Sequence, residues 1–110
     1  MGPALKLIYN NPDHPWTVAN LAAAVGSSRA VFASRFTEQV GEPPIAFLTN
    51  WRLALAADLL RSGQSTIAAV ARQVGYSTPF ALSSAFKRAY GVSPNAYRAN
   101  AAYPDALEAL

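Results

Sequence analysis

An all-α fold of about seven helices, arranged as two helix-turn-helix subdomains joined by a long central linker helix, is what the 110 residues predict. Three observations carry that prediction. Glycine stops are followed within three residues by Ser or Thr starts, Gly26 before Ser28 and Gly75 before Thr78, at the spacing of short helices. The chain repeats on itself at a shift of 49 to 50 residues. The stretch from Pro44 to Ser62 has twelve apolar residues among its nineteen, too many for one stripe, which predicts a helix buried nearly all round.

In chain order, Met1-Gly2-Pro3 could be an appended remnant, and Ala4 to Tyr9 is a short apolar helix stopped by Asn10-Asn11-Pro12, expected to lie as a lid on its neighbours. Thr17 caps the next helix, Val18 to Val25. Trp16, one position outside the cap, can fold against Leu21 as a hydrophobic staple, so it reads as a structural clasp rather than a binding residue. Gly26 ends that helix, and Ser28 caps the next, Arg29 to Val40. Phe32, Phe36 and Val40 recur at i, i+4, i+8 as its inner stripe, leaving Arg29, Ala30, Ala33, Ser34 and Thr37 on a small, polar opposite face. Two short helices on a glycine-containing turn are the sequence form of a helix-turn-helix, here residues 15–43.

Pro43-Pro44 opens the linker helix, residues 44–62, and Ser62-Gly63 closes it. It is about 28 Å long at 1.5 Å per residue. The repeat then sets in. At a shift of 49, Thr17 falls on Thr66, Leu21 on Val70, Ala22 on Ala71 and Gly26 on Gly75; at 50, Phe32 falls on Leu82, Phe36 on Phe86, Gly41 on Gly91 and Phe47 on Tyr97. The second copy is therefore a helix from Ile67 to Val74, a turn, and a helix from Pro79 to Tyr90 with Thr78 as cap. With a short closing helix from Ser93-Pro94 to about Asn100 it makes up residues 66–98. Residues 99–110 are expected to form a weakly ordered tail.

Charge is uneven along the chain. Residues 1–58 hold four basic and four acidic side chains; residues 59–104 hold Arg61, Arg72, Lys87, Arg88 and Arg98 and no acid, a plausible footprint for a polyanion. Cysteine is absent, which excludes disulfide scaffolds, thiolate zinc sites and cysteine nucleophiles. Polar residues interrupt the apolar runs, and no signal peptide opens the chain, so a cytoplasmic protein without a membrane partner is expected.

Two helix-turn-helix units, the linker WRLALAADLL, and above all GYSTPFALSSAFKRAYGVSPNAYR from Gly75 to Arg98 closely resemble the DNA-binding domain of AraC/XylS-type bacterial transcription regulators, over about residues 15–98. The first half is similar to the branch whose full-length members carry an N-terminal cupin-like sensing domain. That effector-binding domain is absent from this sequence, which fits either an excised C-terminal domain or a naturally short member. The resemblance implies a double-stranded DNA partner with both recognition helices in adjacent major grooves. Such units lie about 34 Å apart on one duplex face, and the linker length is compatible with that. An RNA polymerase contact and no cofactor are implied as well.

By position, the resemblance makes Ala30, Ala33 and Ser34 base-facing in the first recognition helix, and Pro79, Phe80, Ser83 and Ser84 in the second. Family members often have arginine, which reads guanine bidentately, where Ser34 and Ser84 stand. Serine specifies less. Arg29 is expected on a base or phosphate, and Thr37, Thr78, Lys87, Arg88 and Arg98 on phosphates, with solvent as the alternative for Arg98. Phe80 has two readings, contact with a thymine methyl or burial under the Tyr76 turn. Arg35 and Arg52 are either DNA contacts or ion-paired with Glu38 or Asp58, the latter preferred for Arg52, while Tyr97 and Phe47 read as core.

An enzyme is the first rival. His14 is the single histidine and has only Asp13 beside it, and the six acids form no close pair for acid–base work. The second rival is a helical protein-interaction module, for example one contacting RNA polymerase, with only non-specific DNA affinity.

Overall fold

The computed structural model describes residues 1–63 and 65–102, and among them the chain forms seven helices and no strand. They are α1 (Gly2–Asn10), α2 (Val18–Ala24), α3 (Arg29–Val40), α4 (Pro44–Ser62), α5 (Ile67–Val74), α6 (Pro79–Tyr90) and α7 (Pro94–Ala102). Two compact units divide the chain after Arg52. Helix α7 continues to Ala102, so the start of the expected tail is helical; residues 103–110 lie outside the described residues.

In the first unit α1, α2, α3 and the beginning of α4 enclose Ala4, Ile8, Leu21, Ala22, Phe32, Phe36 and Leu48. Helix α1 begins at Gly2, two residues before the apolar segment, with Pro3 in its first turn, where a missing N–H costs nothing. It buries Ala4 and Ile8 and is the expected lid. Thr17 does more than cap α2: its Oγ1 accepts the Asn20 N–H at 3.1 Å while Asn20 Oδ1 accepts the Thr17 N–H at 2.8 Å, a reciprocal capping box. Trp16 packs on this core, and its indole N–H donates to the Asn11 carbonyl at 2.8 Å, which fixes the loop entering α2.

The second unit packs the rest of α4 with α5, α6 and α7 around Leu53, Ala56, Ala57, Leu60, Val70, Ala71, Val74, Leu82 and Phe86. Tyr90 stacks on Phe86 with centroids 4.4 Å apart, and Tyr97 meets the same ring edge-on at 5.3 Å. Phe47 and Tyr97 both pack against a core, each in its own unit.

The apolar abundance of α4 has a different cause from the one expected. The helix is not buried all round, since Ile45, Ala46 and Ala54 are exposed. Its apolar residues are divided between two cores, Leu48 with Phe47 and Trp51 in the first and Leu53, Ala56, Ala57 and Leu60 in the second. Two successive apolar faces on one helix blur any single stripe.

One arginine in each unit holds the loop that leads into its first motif helix. Arg52 donates from Nε to the Pro12 carbonyl and from Nη2 to the His14 carbonyl, both at 2.8 Å. Arg98 donates from Nε to the Leu60 carbonyl at 3.3 Å and from Nη2 to the Ser65 carbonyl. Carbonyls left over at a helix end or in a loop need donors, and an arginine fork supplies two.

Candidate nucleic-acid interface

Each unit builds its second motif helix by the same local chemistry. Helices α2 and α5 close with equivalent bonds, Ser27 N–H to the Ala22 carbonyl at 2.9 Å and Tyr76 N–H to the Ala71 carbonyl at 2.8 Å. Each closure needs a left-handed residue, supplied by Gly26 at φ 69° and Gly75 at φ 102°. Ser28 Oγ then accepts from Val31 N–H and Thr78 Oγ1 from Ala81 N–H, setting the first turns of α3 and α6. Phe32 and Phe36 anchor α3, and Leu82 and Phe86 anchor α6, all fully buried.

With those stripes turned inward, the opposite faces are fixed. On α3, Arg29, Ala30, Ser34 and Thr37 are exposed and Ala33 is half-buried against α2. Arg29, Ala30 and Ala33 form one wall of a shallow concavity whose other wall is Thr17, Val18 and Ala19 at the start of α2. On α6, Pro79, Phe80, Ser84, Lys87 and Arg88 are exposed and Ser83 is half-buried. Phe80 is 80% exposed, which removes the reading that buries it under the Tyr76 turn. Among the described residues no ion pair or hydrogen bond engages the side chains of Arg29, Arg35, Lys87 or Arg88.

Two residues expected on phosphates also have partners within the fold. The Thr37 hydroxyl donates to the Ala33 carbonyl one turn back, at 2.9 Å, and is exposed. Arg98 is half-buried and donates from Nε and Nη2 to the Leu60 and Ser65 carbonyls. Thr78 differs, because as a cap it accepts a bond and keeps its own proton to donate. Arg61 is committed to Asp58 and to the Tyr97 hydroxyl. Arg72, legible in the sequence only as part of the basic stretch, is exposed in the last turn of α5. The signal for it was a basic residue off the apolar stripe of the motif's first helix, the helix that crosses the backbone in this motif.

Among the described residues no group of three or more His, Asp or Glu could hold a metal ion, and no helix is long and apolar enough to cross a membrane. A helix-turn-helix domain family matches residues 21–100. An AraC-like transcription regulator of Streptomyces antibioticus is 47% identical over 95 residues, which are 86% of this chain and 31% of that protein. The chain belongs to the AraC-type helix-turn-helix family. AlkR, a transcriptional regulator of Acinetobacter baylyi, is 45% identical over 95 residues, again 86% of this chain and 31% of that protein. Among solved structures, the DNA-binding domain of AdpA in complex with a target DNA is 32% identical, with a TM-score of 0.86 over 93% of this chain and 90% of that one. This AraC-type chain spans about a third of the length of the curated relatives it matches.

Proposed function

We propose that this AraC-type domain binds double-stranded DNA sequence-specifically as the DNA-reading part of a bacterial transcription regulator. The observation that carries the proposal is the pair of capped helices, α3 and α6, each seated on buried apolar anchors and each turning outward exposed cations among mostly small or polar side chains, with Phe80 the large apolar exception on α6. That is the form a helix needs to enter a major groove without steric or charge conflict. Likeness to the AdpA domain, which was solved on a target DNA, supports the same reading.

On this reading α3 and α6 occupy adjacent major grooves and the target is asymmetric and on the order of 20 base pairs long. Arg29, Ala30, Ala33 and Ser34 face bases from the first unit, and Pro79, Phe80, Ser83 and Ser84 from the second. Thr78, Lys87, Arg88 and Arg72 anchor phosphates. The relatives are transcription regulators, and we read this domain likewise as a non-enzymatic protein of the bacterial cytoplasm. A sensing domain and a contact with RNA polymerase are proposed for the whole regulator.

Selection of duplexes from a random library, followed by footprinting, tests the assignment. A protected site of about two turns is expected, and Ser84→Asp should lower affinity for it more than tenfold, because a carboxylate is then forced against phosphates and base acceptors. Unchanged affinity in that variant removes α6 from the groove.

A further inference from the structure

We propose that Phe80 makes the second unit a reader of a pyrimidine C5-methyl group, so that one position of the target is chosen by apolar contact with a thymine or a 5-methylcytosine. The inference rests on the reading of α6 as a groove-entering helix and names what that helix recognises. Its starting point is that Phe80 is 80% exposed while Phe32, Phe36 and Phe86 are fully buried. Helical side chains lean toward the N-terminus, over the preceding turn. Phe80 is the second residue of α6, so the capping segment Ser77-Thr78-Pro79 is what precedes it, and the ring is left largely uncovered. Among the described residues no other aromatic ring meets it.

The residues around the ring decide what it meets. Ser83, Ser84 and Lys87 follow at i+3, i+4 and i+7 on the same face, two of them too short to compete for depth and the third a cation with no ion pair among the described residues. The basic stretch from residue 59 to 104 contains no acid. An apolar tip rimmed by hydroxyls and positive charge suits a surface that is anionic but carries isolated apolar points. Duplex DNA offers such points in its major groove as the C5-methyl of thymine, a recognised partner for apolar side chains. The repeat position in the first unit is Ala30, which offers one methyl where Phe80 offers a whole ring. The larger apolar contact belongs to the second unit, which lacks a base-reading arginine on α6.

The test uses the full 110-residue chain and duplexes it has selected from a random library. Each thymine is replaced in turn by deoxyuridine, which removes only the C5-methyl, and affinity is measured at fixed salt for the wild type and for Phe80→Ala. At one or two positions the loss for the wild type should be about fourfold, the value of one apolar carbon taken from water. Phe80→Ala should lose about as much on the thymine duplex and be indifferent to deoxyuridine at that position. Changing the same pair to C·G should weaken binding, and methylating that cytosine at C5 should restore part of it, which separates methyl reading from thymine reading through O4. Phe80→Leu should lie between. Wild-type indifference to deoxyuridine at every position overturns the inference, as does wild-type affinity in Phe80→Ala, which would assign the ring to a protein partner. Failure to bind any duplex overturns the groove-entering reading and this inference with it; selection of a site without methyl dependence overturns this inference alone.

Discussion

Ser27 and Tyr76 donate their backbone N–H groups to Ala22 and Ala71, so the first motif helix of each unit closes in the same way, and Phe36 and Phe86 occupy the same buried place in the second. On the outside the two units part. Thr37 and Glu38 stand in the first where Lys87 and Arg88 stand in the second, Ala23 stands opposite Arg72, and Ala30 opposite Phe80. Packing explains the likeness, because a buried ring in a dense interior has few tolerated replacements. Exposed positions are released from that constraint. On the DNA-binding reading the difference is a division of labour, in which the second unit supplies most of the phosphate grip and an apolar readout, and the first reads with little charge beyond Arg29 and Arg35.

The largest expected effect tests the shared interior. Phe36→Ala and Phe86→Ala should each destabilise the protein by about 3–5 kcal/mol, measured by urea unfolding. A cost near zero for one of them would break the equivalence of the two cores. Next comes Arg98→Ala, expected to cost about 1–3 kcal/mol of stability through the lost carbonyl bonds while leaving the salt dependence of DNA binding unchanged. A flatter salt dependence with unaltered stability would return Arg98 to the phosphates.

The outer faces are then exchanged. Lys87→Ala with Arg88→Ala should weaken all duplexes about equally and flatten the slope of log affinity against log salt by about two. Glu38→Lys, which gives the first unit the second unit's charge, should steepen it by about one; no change would mean that this end of α3 does not approach the backbone. The smallest effect is at the caps. Thr78→Ala and Ser28→Ala should each cost about 1 kcal/mol by thermal unfolding, and a larger loss of DNA affinity in Thr78→Ala alone would support a phosphate contact from its free proton.

How much of this was legible in the sequence follows from how local each signal is. Caps and left-handed glycines act within five residues, and α3, α4, α5 and α6 begin and end where Ser28, Pro44, Thr66, Thr78, Gly41, Gly63, Gly75 and Gly91 place them. The reciprocal bond of Asn20 was available to the same reasoning, three residues after Thr17. Arg98 was not legible, because its carbonyl partners lie 38 and 33 residues away and a lone arginine reads the same whether it holds a loop or a phosphate. Arg52, tied to Pro12 and His14, was hidden in the same way. Phe80 was undecided since exposure depends on which chain lies behind the helix end. The linker misled for a different reason, since two half-helices serving separate cores sum to a composition that resembles full burial.

Duplex binding through the motif helices α3 and α6 is tested most directly by fluorescence anisotropy of the chain with a labelled 30-base-pair random duplex across a range of salt concentrations. Binding at low salt that falls linearly in log salt, with a slope of roughly 0.9 per phosphate neutralised and with Lys87→Ala removing about one such unit, is the predicted result. No binding at low salt, or binding indifferent to salt, would contradict it.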